Sequence, residues 1–150
     1  MITIIITSFK EPQSVGKAIE AVLANKIKEK YELLVAAPDK ETGAVIQSYS
    51  RKHKQVKYFK DKGRGKANAL NELFQRAKGD ILILTDGDVF MSTNAISALL
   101  HALRTNMLAA LLDDLSRRTQ KRLCLVISAI CLLTLVRTRF AKNFMIKENF

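Results

Sequence analysis

The stretch GDILILTDGDVFM, residues 79–91, decides how the rest of the chain is read. Four consecutive aliphatic residues, Ile81 to Leu84, run straight into Thr85, Asp86, Gly87 and Asp88. A short unbroken apolar run is the mark of a strand covered on both faces. Residues i and i+2 share a face along a strand, and where the chain turns at its end both carboxylates can reach one ligand. Two hard oxygen donors with a small residue between them suit Mg²⁺ or Mn²⁺ held jointly with phosphate oxygens. Gly87 lets the backbone bend and a ligand come close. Asp-Gly is also ordinary turn chemistry, but the buried strand ahead of it favours a functional reading.

Working outward, ITIIIT (2–7) and ELLVAA (32–37) have the same unbroken apolar character, and VKYF (56–59) is a weaker run. Helical spacing lies between them. Val15, Ala18, Ile19, Val22 and Leu23 make one apolar face, and Ala69, Leu70, Leu73, Phe74 and Ala77 make another. Val45, Ile46 and Tyr49 suggest a third helix, and Ile96, Leu99, Leu100 and Leu103 a fourth, capped by Ser92 or Thr93. Gly79 follows the Ala69–Ala77 pattern where a left-handed helix cap is expected. This alternation predicts right-handed crossovers and a mainly parallel, doubly covered sheet. In such sheets ligands bind at the carboxyl ends of the strands, which gathers Thr7-Ser8-Phe9, Pro38-Asp39 and Asp86-Gly87-Asp88 on one rim.

At 150 residues, 48% hydrophobic and 26% charged, the chain is globular and large enough for one domain with a real core. A net charge of +11 favours anionic partners. The basic residues are scattered, however, apart from knots at RKHK (51–54) and KDKGRGK (60–66). No RNA-reading aromatic motif, zinc-finger spacing or basic heptad array accompanies them, so nucleic acid is not the expected partner. Cys124 and Cys131 have neither metal-site spacing nor a disulfide framework, which makes a reducing, cytoplasmic compartment the default. The apolar start, MITIIITSF, lacks a basic n-region and a cleavage site and reads as a strand.

In KGRGKANALN (62–71), Gly63, Gly65, Arg64 and Lys66 precede a helix start, so backbone N–H groups and cations converge where an anion would bind. The spacing is not that of a P-loop, and Asn68 stands where a third dinucleotide-fold glycine would be. Asp39 ends the second run; a carboxylate there reads a base or ribose, or equally caps a helix. His53 and His101 have no partner motif and read as surface or structural residues.

The character changes after about residue 104. Glycine and proline are absent from there on, and residues 106–150 hold three acidic against eight basic residues. LCLVISAICLLTLV (123–136) is short for a membrane span and reads as a buried helix or an interfacial segment in contact with the inner face of a membrane.

Three segments together, ITIIITSFKEPQSVGKAIEAVLAN, YELLVAAPDKET and GRGKANALNELFQRAKGDILILTDGDVF, resemble the nucleotide-sugar half of family 2 GT-A glycosyltransferases. The resemblance covers residues 1–105. It rests most specifically on Gly65-Lys66-Ala67-x-Ala69-Leu70-Asn71 and on the D-x-D triplet. It implies a Rossmann-like α/β fold, followed here by a helical tail over 106–150. It implies Asp86 and Asp88 around a Mg²⁺ or Mn²⁺ that bridges the diphosphate of a nucleoside-diphosphate sugar, with UDP the commonest carrier. Asp39 is implied at the base, Thr7, Ser8 and Phe9 along the nucleotide pocket, and Arg64 and Lys66 near the donor. The turn TSFKEP departs from the family pattern: Glu11 matches loosely and the usual asparagine is absent. Nothing in 106–150 matches the acceptor side, so the saccharide or lipid acceptor and the catalytic base are unassigned, and the expectation is a tail arising from truncation or a changed reading frame. Two rival expectations remain. One is a haloacid-dehalogenase-like phosphatase, with Asp86 as nucleophile, Asp88 as acid/base and Asp113 and Asp114 as further metal ligands. The other is a non-catalytic nucleotide-binding remnant.

Overall fold

A computed structural model describes residues 1–104, 124–125 and 134–137. Four βα units follow one another: β1 (Ile2–Thr7), α1 (Val15–Leu23), β2 (Tyr31–Ala37), α2 (Lys40–Lys52), β3 (Val56–Lys60), α3 (Lys66–Arg76), β4 (Ile81–Asp86) and α4 (Ala95–Arg104). Two strands from the end of the chain, β5 (Cys124–Leu125) and β6 (Thr134–Arg137), complete a six-stranded sheet of order β3-β2-β1-β4-β6-β5. The pairs β1–β2, β1–β4 and β2–β3 are parallel, whereas β4–β6 and β5–β6 are antiparallel.

The unbroken apolar runs have a simple cause: alternate residues serve opposite cores. Ile2, Ile4 and Ile6 of β1, with Leu33 and Val35 of β2, pack against Val15, Ile19 and Val22 of α1, Ile46 of α2 and Ile96 of α4. Ile5, Leu34, Ala36 and Leu82 face the other way, onto Leu70, Leu73 and Phe74 of α3. Each such side chain contributes about 1.5–3 kcal/mol when fully withdrawn from water, so a one-residue register slip would exchange both layers at once.

The amino ends of the strands are closed by a buried polar cluster. Glu32, 2% exposed, accepts hydrogen bonds from Thr3 Oγ1 (2.9 Å), Lys57 Nζ (2.6 Å) and the Lys78 amide (2.8 Å). The Gly79 amide donates in turn to Thr3 Oγ1 (2.8 Å). Gly79 is therefore not a left-handed cap: among the described glycines only Gly63 and Gly65 have positive φ. It is glycine because a Cβ there would collide with the backbone of Ile2 and Thr3.

The helix expected across 123–136 is corrected at the described positions, which are strands. A continuous apolar run carries no period that separates a strand from a buried helix. The free side of β4 presents a row of backbone donors and acceptors, and β6 pairs with it from Ile81↔Arg137 to Leu84↔Thr134. The rest of the expected tail, Asp113 and Asp114 included, lies outside the described residues, as do most of those assigned to a membrane contact. Among the described residues no helix is long and apolar enough to cross a membrane.

Candidate functional site

Chain order reverses across the sheet at β1, which lies between β2 and β4. A crevice opens at the carboxyl ends beside such a switch point. The ladders run one residue past each strand and so fix the first loop residues: Ser8 N donates to Ala36 O (3.0 Å), Gly87 N to Thr7 O (3.0 Å) and Asp61 N to Ala37 O (3.2 Å). A cavity of about 470 Å³ sits on this rim. Of the expected site residues, Thr7, Ser8, Phe9 and Glu11 line it from the β1 side, Gly65 and Lys66 from the start of α3, and Asp86 and Asp88 from the end of β4.

The register pairs Thr7 with Asp86, and the Thr7 hydroxyl donates to Asp86 Oδ1 (3.2 Å). Lys66 Nζ meets the same oxygen at 2.6 Å. Both partners are open to solvent, so this ion pair is held loosely: exposed pairs contribute about 0–1 kcal/mol. Lys66 opens α3, where the first amide groups lack intrahelical partners and the helix dipole favours an anion. Gly63 (φ 69°) and Gly65 (φ 93°) take the left-handed backbone that brings this helix end under the cavity.

Gly87 turns out to serve side chains of the protein itself. A Cβ there would lie 2.6 Å from Glu11 Oε2 and collide with Ser8, whose hydroxyl donates to Glu11 Oε2 (2.7 Å). Glu11 thus lies across the ends of β1 and β4. It is turned there by Lys10, which adopts φ 57°.

Asp39 and Arg64 are not brought to the cavity wall. Asp39 caps α2: its carboxylate accepts from the Thr42 amide (2.9 Å) and from the Lys10 amide (2.9 Å), and the Thr42 hydroxyl accepts from the Glu11 amide (3.0 Å). Burial pushes this carboxyl up, but the Thr42 and Lys10 hydrogen bonds outweigh it and hold Asp39 below its usual value. Of its two expected tasks, the cap is the one in place, and it anchors the turn that carries Phe9 and Glu11. Arg64 is exposed beside the helix start, and its carbonyl accepts from Asn68 Nδ2 (2.8 Å).

Asp61 is a wall residue that the sequence reading passed over. It falls inside the basic knot KDKGRGK, one residue beyond Lys60, and the apolar run VKYF stops short of it at Phe59. The strand runs to Lys60, so Asp61 is a strand-end carboxylate like Asp39 and Asp86. The signal was the strand-end rule already applied to the other two.

Among the described residues no group of three or more His, Cys, Asp and Glu side chains is arranged to hold a metal ion. The rim does offer two carboxylates one residue apart, both opening on the cavity. Mg²⁺ and Mn²⁺ fit such a donor set, since Mg²⁺ binds through one or two carboxylates completed by phosphate oxygens and water.

The fold recurs in solved structures. Mannosyltransferase PcManGT from Pyrobaculum calidifontis, in complex with GDP-Man and Mn²⁺, superposes with a TM-score of 0.52 at 22% identity, over 58% of this chain and 27% of that one. S. aureus TarS 1–349 gives a TM-score of 0.62 at 13% identity, over 71% of this chain and 33% of that one. A CMP:2-keto-3-deoxy-manno-octonic acid synthetase complexed with CTP gives 0.55 at 17% identity, over 70% and 48%. This chain therefore spans between a quarter and a half of the length of these structures. Among curated protein sequences, none is significantly similar to it. The family model for glycosyl transferase family 2 matches residues 3–123, which include all four βα units and the whole rim, and the chain belongs to that family.

Proposed function

We propose that this chain is the donor-binding region of a glycosyltransferase that takes a nucleoside-diphosphate sugar, with Mg²⁺ or Mn²⁺, and passes the sugar to a saccharide or lipid hydroxyl. The observation that carries this reading is a single cavity at the switch point with Asp86, Asp88 and Lys66 together in its wall.

In the reaction, the bond between the anomeric carbon and the diphosphate oxygen breaks and negative charge gathers on the leaving diphosphate. Asp86 and Asp88 are the residues that would hold a divalent ion, which when bound would supply Lewis-acid stabilisation of that charge. Lys66 reaches the same place as a point charge, and the first amides of α3 add donors that need no reorganisation. Thr7 keeps Asp86 turned towards the cavity. The incoming hydroxyl must give up its proton to a base; Glu11 is the remaining carboxylate on the β1 side, though its contact with Ser8 marks it as a positioning group for the rim.

Family membership argues against the phosphatase reading, and so does the placement of Asp86 on a fourth strand with Lys66 and Thr7 on one oxygen. Calorimetric titration of UDP and GDP, with and without Mn²⁺, into wild type and Asp88→Ala tests the proposal. Metal-dependent binding that is lost in the variant is expected. A folded wild-type chain that binds neither nucleotide would sink the donor-site reading and the nucleotide-binding remnant alike, and leave the carboxylate pair as inherited sequence in a broken transferase.

A further inference from the structure

We infer that the free edge of the sheet along β3 is a basic stripe that docks on the anionic surface of a lipid bilayer.

The positive charge of the βα units is gathered in one place. Residues 1–50 hold six basic and six acidic residues, and residues 67–104 hold three basic and four acidic. Residues 51–66 hold eight basic residues against one acid, Asp61, a surplus of seven where the whole chain has +11. Along the sequence this charge stands as two knots, RKHK and KDKGRGK, parted by VKYF. The fold joins them. VKYF is the body of β3, the last strand on its side of the sheet, and among the described residues it pairs with β2 alone. Its residues rise about 3.3 Å each, so the knots stand close together at the two ends of one short strand, with Lys57 between them. Both ends are pinned: Val56 N donates to His53 O (3.0 Å) and Asp61 N to Ala37 O (3.2 Å).

All eight cations are exposed, whereas the one acid is buried. Lys57, Lys62 and Lys66 have carboxylate partners in Glu32, Glu72 and Asp86. Arg51, Lys52, Lys54, Lys60 and Arg64 have no ion pair among the described residues. Local structure accounts for part of this. Arg51 and Lys52 suit the negative end of α2, and lysines on an edge strand discourage pairing with another sheet. Neither reason reaches Lys54, Lys62 or Arg64. Lys66 stands at the positive end of α3, where the helix dipole disfavours a cation. Like charges crowded together repel one another, and an anionic surface relieves that repulsion.

The make-up of the stripe chooses the occupant. Six of the eight cations are lysines, compact charges on flexible stems that follow a plane of headgroups without a fixed geometry. Clusters of about four to eight such residues bind acidic lipid, each adding to the attraction. Single-stranded nucleic acid instead needs open aromatic rings on which bases stack. The two rings of β3 are engaged: the Arg76 guanidinium covers Phe59 at 4.5 Å, and the Tyr58 hydroxyl donates to Ala37 O (3.3 Å). Gly63 and Lys66 belong both to the stripe and to the cavity wall, so docking by this edge holds the cavity mouth beside the headgroups.

The test is flotation of the full chain with vesicles of phosphatidylcholine alone and of equal parts phosphatidylcholine and phosphatidylglycerol. Nucleotide and metal are left out, so the outcome is independent of the donor-site reading. Two variants of equal charge loss are compared, with circular dichroism to check that each is folded. One is R51Q/K52Q/K54Q/K60Q on the stripe; the other is K17Q/K26Q/K28Q/K30Q, exposed lysines of α1 and of the loop before β2. Wild type is expected to float with the anionic vesicles only, and to be released as salt rises from about 0.1 M to about 1 M. The stripe variant should lose at least about tenfold in partitioning, and the other variant less than about threefold. Equal flotation with neutral vesicles, equal loss in both variants, or no flotation of the folded wild type overturns the assignment. Mixed-sequence RNA bound at a salt concentration that leaves the anionic vesicles bare would overturn it too, and hand the stripe to nucleic acid.

Discussion

At the amino end of the sheet Glu32 accepts hydrogen bonds from Thr3 (2.9 Å) and Lys57 (2.6 Å); at the carboxyl end Asp86 accepts them from Thr7 (3.2 Å) and Lys66 (2.6 Å). Both threonines belong to β1, and each carboxylate sits on a strand that pairs with it. The groups are nearly the same; their surroundings are not. The Glu32 side chain is 3% exposed, has both oxygens engaged and takes a backbone amide as well. The Asp86 side chain is 39% exposed, and both Lys66 and Thr7 converge on its Oδ1 alone. A carboxylate saturated and withdrawn from water is a fastener. One left partly open, with a single lysine that solvent can replace, is free to exchange partners. Burial and saturation, more than residue type, separate structure from function here.

That contrast can be broken in order of expected effect. Glu32→Ala strands the Thr3 hydroxyl and the Lys78 amide below the sheet and should cost about 2–4 kcal/mol in urea denaturation. Asp86→Ala should change stability by less than about 1 kcal/mol while abolishing metal-dependent nucleotide binding. Equal losses of stability in the two variants would mean that the ends of the sheet are not different in kind.

The acid limb of stability sharpens the same point. Burial pushes the Glu32 carboxyl up, but hydrogen bonds from Lys57, Lys78 and Thr3, with the Lys57 charge, outweigh it and leave the group below its usual value of 4.5. A carboxylate lowered by folding contributes stability that is complete above its unfolded value and disappears as pH falls through the folded one. Stability should therefore decline below about pH 4.5, and Glu32→Gln should flatten that decline when both proteins are followed by denaturation from pH 6 to pH 3. An identical acid limb in the variant would assign the loss to other carboxylates.

Lys66→Met is the mildest change. It should leave stability within about 0.5 kcal/mol, since the pair is exposed. In calorimetry, Mn²⁺ alone should bind the variant more tightly, because Lys66 no longer competes for Asp86 Oδ1. UDP or GDP with Mn²⁺ should bind several-fold more weakly, because a phosphate contact is gone. No change in either titration would mean that Lys66 merely rests on Asp86.

Much of this was legible before the fold. ITIIIT, ELLVAA and DILIL were legible as strands covered on both faces because runs of five or six aliphatic-rich residues between amphipathic helices are too short for buried helices. The cavity collects eight of the ten expected site residues for the same reason: strand ends of a parallel sheet share one edge. The errors cluster where a local pattern has two solutions. Leu123–Val136 carried no period, so the pairing of β6 with the open side of β4 was invisible. Asp39 was equally suited to capping and to reading a base, and the proximity of Lys10 and Thr42 made it a cap. Gly79 and Gly87 looked like turn glycines, but both are glycine because a distant segment packs on the bare Cα.

Hydrophobic period and strand-end chemistry are local, so they were sufficient for the element order as far as α4, the doubly covered sheet and the position of Asp86 and Asp88 on its rim. Which carboxylate is sealed and which is open depends on contacts between residues as far apart as Thr3 and Gly79, or Thr7 and Asp86. Those contacts exist only once β1 is laid between β2 and β4, because desolvation and hydrogen-bond saturation are properties of the packed sheet and not of any segment of the chain.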